Sequence, residues 1–428
     1  MKTIALVLPV LIGLATSSCA SQVSAERKDA LGQQAADTVT TTIGPLTLPS
    51  PYSTPSVAKS SEVIDWPAGR TPQAPRGFRV ERYAEGLQHP RSTYISPAGE
   101  TFVVESNTRN SANRILRLVD EDGDGRVDEQ RVFIDDLNQP FGMLVLDGYF
   151  YVANTDATWR YPYTEGQERL DPAGGEKILS TPPQGYNNHW TRNLLASPDG
   201  SKIYVSVGSG SNVGENGMEA ETNRANILEI NPDGSGMREY ATGLRNPVGM
   251  DWNPVTGELW TAVNERDELG DGLVPDYATS VREGGFYGWP YSYYGQLRDP
   301  RWAEDPHTDL VQQAIVPDVP LGAHTASLGL VFYTKDAFPD AYRHGAFVGQ
   351  HGSWNRSEFA GYKVVYIPFD AEGKPQPPQD FLTGFIADGD AGKVWGRPVG
   401  VSQTPEGDLL VCDDESGIVW RVTAEKAR

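Results

Sequence analysis

From Gly77 onward the chain repeats one unit: a polar residue, a proline or its stand-in, a short apolar strand, a tight turn and a second strand. Gln139-Pro140-Phe141-Gly142, Asn246-Pro247-Val248-Gly249 and Arg397-Pro398-Val399-Gly400 are three plain copies, and His89-Pro90 opens a fourth. Their turns read Asp147-Gly148, Thr256-Gly257, Glu406-Gly407 and Ser96-Pro97-Ala98-Gly99. Two divergent copies begin at His189, with Ser197-Pro198-Asp199-Gly200 at the turn, and at His324, with Ser327-Leu328-Gly329-Leu330. Six units of roughly 50–80 residues, each worth about four short strands, predict an all-β, six-bladed β-propeller. A pair of β-sandwiches is the competing arrangement, but it gives no reason for the repeated Pro-x-Gly placement.

Length allows about three domains at roughly 150 residues each. The repeat joins residues 76–428 into a single one. Before it, Lys2 and an apolar run from Ile4 to Ala15 are too short to span a bilayer and have the form of a secretory signal within residues 1–25. Thr16-Ser17-Ser18-Cys19 resembles a lipobox, which would leave a lipid anchor at Cys19, whereas Val23-Ser24-Ala25 suits ordinary signal peptidase. Either route predicts an exported protein, periplasmic or lipid-anchored to a bacterial outer membrane. Residues 26–75 are rich in Thr, Ser, Pro and Ala and read as a flexible tether with at most a strand near the domain edge. Cys412 is left without a disulfide partner, so the core alone must hold the fold. A net charge of -21 repels phosphate backbones and argues against nucleic acid as a partner.

Inner strands of a propeller all start at one end of a central channel, so the residues before them converge on one mouth. Here they are His89, Gln139, His189, Asn246, His324 and Arg397, with Arg245 beside Asn246. One such histidine is more often structural than catalytic. Six polar residues in register are not what a hydrophobic core selects, and they could hold a polyanion and remove a proton beside it. No phosphate-cradling glycine fingerprint follows a strand, which disfavours nicotinamide, and there is no Cys-x-x-Cys-His for a c-type haem.

Asn264-Glu265-Arg266-Asp267-Glu268-Leu269-Gly270-Asp271, Gly284-Gly285-Phe286-Tyr287-Gly288-Trp289-Pro290 and Gly352-Ser353-Trp354-Asn355-Arg356 resemble the pyrroloquinoline quinone-dependent glucose/sorbosone dehydrogenases, the sorbosone-like branch above all. The resemblance implies oxidation of an aldose, a sorbosone-like aldehyde or a related sugar by hydride transfer to the quinone. Calcium would assist, and a separate acceptor, a cytochrome or a quinone, would take the electrons. His189 matches the family's base, Arg245 and Asn246 its Arg-Asn pair, Gln139 a glutamine at the cofactor, and Arg397 one of two arginines for its carboxylates. His324 stands where the family can have threonine. Asp267 and Glu268 stand where main-chain carbonyls hold calcium. Trp395 falls where the second arginine is expected, leaving Arg356, Lys363 and Lys393 as candidates for the missing cation. Ser209 replaces the aspartate that orients the histidine, with Glu215 or Glu219 as alternatives.

Asp120-Glu121-Asp122-Gly123-Asp124-Gly125-Arg126-Val127-Asp128 has calcium-loop spacing with Asp120, Asp122, Asp124 and Asp128 as ligands, but Arg131 stands where a bidentate Glu belongs. A calcium loop and a solvated acidic turn both remain open. Trp289, Tyr291, Tyr293, Tyr294 and Trp302 could form a sugar-stacking platform or pack between blades; Trp190 and Trp354 adjoin the expected mouth. Two other functions compete. A calcium-dependent lactonase needs calcium held directly by Glu, Asn and Asp side chains in the channel, and a set of His, Gln, Asn and Arg disfavours that. A non-catalytic sugar- or protein-binding propeller fits the missing arginine.

Overall fold

The computed structural model describes residues 20–108, 110–182 and 189–425. Cys19, the expected lipid attachment, lies outside them. The repeat is expressed as six four-stranded antiparallel sheets. Their first strands are Pro90–Ile95, Gly142–Leu146, Arg192–Ala196, Pro247–Trp252, Ser327–Phe332 and Pro398–Gln403. These pack on one another in sequence, and the strand at Pro398 returns to the strand at Pro90, closing a ring. The sixth sheet draws its fourth strand, Phe78–Ala84, from the start of the repeat region, pairing it with Ile418–Ala424. The two ends of the repeat are thereby joined in one sheet.

The repeated glycine has a steric cause. A Cβ at Gly142 would lie 2.7 Å from the Leu194 nitrogen, at Gly249 2.2 Å from that of Leu330, at Gly329 2.3 Å from the Val399 carbonyl, and at Gly400 2.6 Å from the Arg91 carbonyl. Each glycine lets its strand approach the next one at the narrow centre of the ring. The residues beside them, Phe141, Val248, Leu328 and Val399, meet as a buried apolar cluster. Second strands are enclosed by neighbouring sheets on both faces, so Phe150-Tyr151-Val152-Ala153 is continuous apolar sequence with no solvent exposure.

The segment expected to be a tether is ordered. It forms a helix, Ala25–Gly32, a hairpin, Asp37–Thr41 with Gly44–Leu48, and a two-residue strand, Glu62–Val63, parallel to Lys393–Val394. Leu48 is buried with Leu269 and Tyr277, and Trp66 joins Trp395, Trp420 and Phe385. These few large residues are spaced too irregularly to make a period, so the Thr/Ser/Pro background concealed them. Order extends into the stretch expected to leave with the signal: Val23 is buried, and Ser21 and Arg301 exchange backbone and side-chain hydrogen bonds. The whole segment is a strap across three sheets.

Candidate functional site

Topology decides which residues can reach the mouth. If inner strands start there, so do the connections between second and third strands, here 207–226, 263–275, 350–363 and 413–418. The inner strands begin directly after His89, Asn246 and Arg397, and three residues after Gln139, His189 and His324, so the six are in register only to within a turn. His89, Gln139 and His324 have φ of 55°, 48° and 62°, an uncommon region for residues with a Cβ and one that marks an over-determined rim.

His189 is buried against the 207–226 connection. Its Nδ1 is 2.9 Å from the Ser209 hydroxyl and 3.0 Å from the Ser209 carbonyl. The hydroxyl donates to the Ser211 carbonyl at 2.6 Å, so it can only accept from the histidine. Both neighbours of Nδ1 are therefore acceptors, the proton is fixed on Nδ1, and Nε2 carries the lone pair. Nε2 has no partner among the described residues. Burial and then the charge of Arg245 hold the imidazole well below its ordinary pKa, against opposing contributions from Ser209 and Asp267. Ser209 thus occupies the orienting position; Glu215 is spent on the backbone N–H groups of Asn212 and Val213, and Glu219 is exposed. Gly208 packs His189 beside Asn246, since a Cβ there would be 2.5 Å from the His189 Cβ and 2.3 Å from the Asn246 Oδ1.

Arg245 is buried and every one of its N–H groups is taken. Nε donates to the Asn212 carbonyl, Nη1 to the carbonyls of Asn264 and Glu265, and Nη2 to the Asn212 side chain and to Asp267 at 3.0 Å. It is a scaffold and a source of field. The Asp267 carboxylate also accepts from Asn355 at 2.6 Å and lies 3.5 Å from His324 Nδ1. His324 Nε2 is 2.9 Å from the Gly270 carbonyl. Burial opposes protonation of His324, but Asp267 and Gly270 together outweigh it and raise its pKa. Asp267 goes the other way: burial opposes its charge, and Arg245 followed by His324 and Asn355 hold it well below the carboxylate range. Of the two residues that tie this network together, Asn212 was not singled out from the sequence and Asn355 was quoted only within the Gly352–Arg356 motif, without a role.

On the other side of the ring, Arg397 donates to the carbonyls of His351 and Gly352 at 3.0 Å each. Asp414 bridges His351 at 2.8 Å and Arg91 at 2.5 Å, and the Arg91 guanidinium lies 5.2 Å from the Trp190 ring centre. Arg91, unremarked in the sequence, thereby joins Arg397 in one cluster. Of the other candidate cations, Arg356 donates to the Ala323 carbonyl beside His324, Lys363 is paired with Asp380 on an outer strand, and Lys393 is held in the strand pairing with Glu62. Gln139 reaches the Asn107 carbonyl at 3.4 Å.

The main-chain carbonyls of Asp267 and Glu268 differ: the first accepts from Asn212 at 3.3 Å, the second from no described residue. Asp120, Asp122 and Asp124 bring carboxylate oxygens within 4.8 Å of one another, and Asp128 stands outside that group. Their loop joins third and fourth strands, so it lies at the end of the ring opposite the mouth. Trp289, Tyr291, Tyr293, Tyr294 and Trp302 are all buried, Trp289 and Trp302 donating to the carbonyls of Asn212 and Val213. They pack and brace the site loop; Trp354, 52% exposed, does not.

A TrAA12-like family model matches residues 72–275 and 304–425. An uncharacterized protein of Borreliella burgdorferi is 26% identical, covering 83% of this chain and 92% of its own. A protein named pyrroloquinoline quinone-dependent sugar dehydrogenase from Hypocrea jecorina is 23% identical over 75% of this chain and 80% of its own. Among solved structures, a calcium structure of the family AA12 enzyme of Trichoderma reesei superposes with a TM-score of 0.69 at 21% identity, covering 82% and 97% of the two chains. The holo quinone domain of Coprinopsis cinerea pyranose dehydrogenase gives 0.67 at 22%, with the same coverage. The likeness in fold runs over the six-sheet ring, and with the matched stretches it makes this chain a member of the TrAA12-like family.

Proposed function

We propose that the six sheets are the blades of one propeller and that the chain is an exported, pyrroloquinoline quinone-dependent dehydrogenase of an aldose, a sorbosone-like aldehyde or a related sugar. The observation that carries this reading is His189: a neutral imidazole, its proton locked on Nδ1, with Nε2 unpartnered. The ring also fits a polar group. Among the described residues His89 Nδ1, Arg91 Nε and Asn246 Oδ1 are buried without a partner, an expensive condition unless a ligand completes them. Two named relatives that use the quinone support the same assignment.

When bound, the quinone supplies the hydride acceptor and calcium the Lewis acid that activates it. Arg397 and Arg91 would face its carboxylates, with Arg356 as a third cation; Gln139, Asn246 and His324 would line the same ring. The carbonyls of Asp267 and Glu268 would hold calcium. His189 takes the proton of the sugar hydroxyl at Nε2, and Ser209 keeps that nitrogen unprotonated beforehand. Arg245, whose N–H groups are spent within the protein, acts on the reaction by fixing Asn212 and Asp267 and keeping the base neutral. The ordered packing of residues 20–25 supports cleavage before Cys19, hence a lipid anchor. Electrons would leave to a separate cytochrome or quinone.

Adding the quinone and calcium to purified protein, then following dye reduction with a panel of aldoses, tests this. Absence of saturable quinone binding would overturn it; binding without turnover on any aldose would move the substrate elsewhere. Ser209→Ala retains the backbone acceptor for Nδ1, so kcat is expected to fall only about tenfold. Calcium has a second proposed place at Asp120, Asp122 and Asp124. There it should stabilise the chain by about 2.7 kcal/mol at a hundredfold excess over its Kd. That gain should disappear in Asp124→Asn while turnover persists, as thermal melts and dye assays would report.

A further inference from the structure

A cavity of about 540 Å³ lies between the start of the strap, its middle at residues 52–56, and the loop that carries Asp267. Apart from Arg266 and Glu268, every residue lining it falls outside the two stretches matched by the family model, so it is a feature of this chain's additions rather than of the shared ring. Its size suits a ligand no larger than a sugar or two.

Its wall carries three cations, Lys28, Arg266 and Arg301, against two carboxylates, Asp29 and Glu268. Arg266 is 2% exposed and pairs through Nη1 with Asp299 at 2.7 Å, while its Nε and Nη2 are buried with no partner. Arg301, 9% exposed, donates through Nε to the Ser21 carbonyl and approaches the nearest carboxylate in the cavity, Glu268, only to 3.9 Å. Lys28 has its ammonium 5.3 Å from the Tyr52 ring centre and on no carboxylate. Asp29 also lines the cavity, yet no hydrogen bond joins it to any of the three cations. The buried, unpartnered nitrogens of Arg266, with the largely buried Arg301 guanidinium on the same wall, call for an acceptor with a flat pair of oxygens.

We propose that this cavity binds the carboxylate or phosphate group of a small ligand, with Arg301 and Lys28 as its principal contacts and Arg266 behind them. Tyr52 and Thr54 supply a ring face and a hydroxyl for the rest of the molecule. The site shares the 263–275 connection with the mouth but is walled by the strap, and its occupancy does not require the quinone. Since a sugar acid and free phosphate share this chemistry, calorimetric titration of the purified chain with glucuronate and with inorganic phosphate, at constant ionic strength, separates them. Glucose serves as the neutral control.

At least one anion should bind saturably and glucose should not; whichever anion binds tighter identifies the source. Lys28→Gln and Arg301→Gln should each weaken binding about tenfold or more, corresponding to the loss of one charged contact. Lys28 is on an exposed helix, so its variant remains informative if Arg301→Gln fails to fold. No saturable binding of either anion, equal binding of glucose, or affinity unchanged in both variants overturns the proposal.

Discussion

His189→Ala is expected to lower kcat by about 10²–10⁴-fold, the range of a lost general base, while quinone and calcium binding stay within about twofold of the parent. The split between turnover and cofactor affinity follows from the geometry: among the described residues the His189 ring hydrogen-bonds to Ser209 alone and enters no ion pair. The pH profile provides a second readout. Because burial and Arg245 depress its pKa well below 6.5, the imidazole is already a free base at neutral pH, so kcat/KM should hold level on acidification past the point where an ordinary histidine titrates. Stability has the same cause and a definite sign. An unfolded histidine takes up a proton near pH 6.5, and the buried one resists it. Below that pH the unfolded chain binds more protons, and stability falls as pH falls. His351, pushed down to about 4 by burial and by Arg397, acts in the same direction between pH 6.5 and 4. Replacing His189 should therefore make unfolding less steep in acid. An acid limb near 6.5 in the parent, or full activity in the variant, would remove His189 as the base.

The ring and one side of the site were legible in the sequence because each rests on a constraint that single residues express. Gly142, Gly249, Gly329 and Gly400 recur where a Cβ would strike the next strand, and that collision is the repeat. Ser209 was identified as the replacement for an orienting aspartate, and it is the group on Nδ1. Less visible were residues whose role depends on where a long connection turns. Asn212 and Asn355 come from two different connections and meet only through Asp267, so no spacing relates them. For Asp267 the sequence emphasised the carbonyl, whereas its carboxylate is the centre of a network with Arg245, His324 and Asn355. Arg91 follows Pro90 in an ordinary-looking strand start, and only the fold sets it against Asp414 and Trp190. The strap was the largest miss. A segment with little apolar content can still be ordered if its few large side chains each reach a separate part of a core that already exists.

Trp66 is the strongest of those anchors, and Trp66→Ala is expected to cost about 3–5 kcal/mol in denaturant unfolding, the range for a buried aromatic replaced by alanine. Its ring lies 5.0 Å from Trp420, 5.4 Å from Trp395 and 5.6 Å from Phe385, so removal opens a cavity on three sides. The indole Nε1 also donates to Asp413 at 3.2 Å, a carboxyl that burial has pushed up to about 6. Trp66→Phe separates the two contributions. It keeps most of the volume, removes the donor, and should cost only about 1–2 kcal/mol. With one donor fewer the Asp413 carboxyl should titrate higher still. A raised carboxyl stabilises most below its unfolded pKa of 3.8 and loses that contribution as pH rises through the folded value, so the Phe variant should be penalised more at neutral pH than in acid. The consequence extends to the mouth. Asp413 Oδ1 accepts from the Arg397 backbone N–H at 2.7 Å, so loosening Asp413 loosens an arginine proposed to hold the quinone. Quinone affinity should therefore fall in both variants in step with the loss at Asp413, and kcat at saturating quinone should not. A Trp66→Ala chain with parental stability and parental quinone affinity would mean that the strap rests on the ring without supporting it.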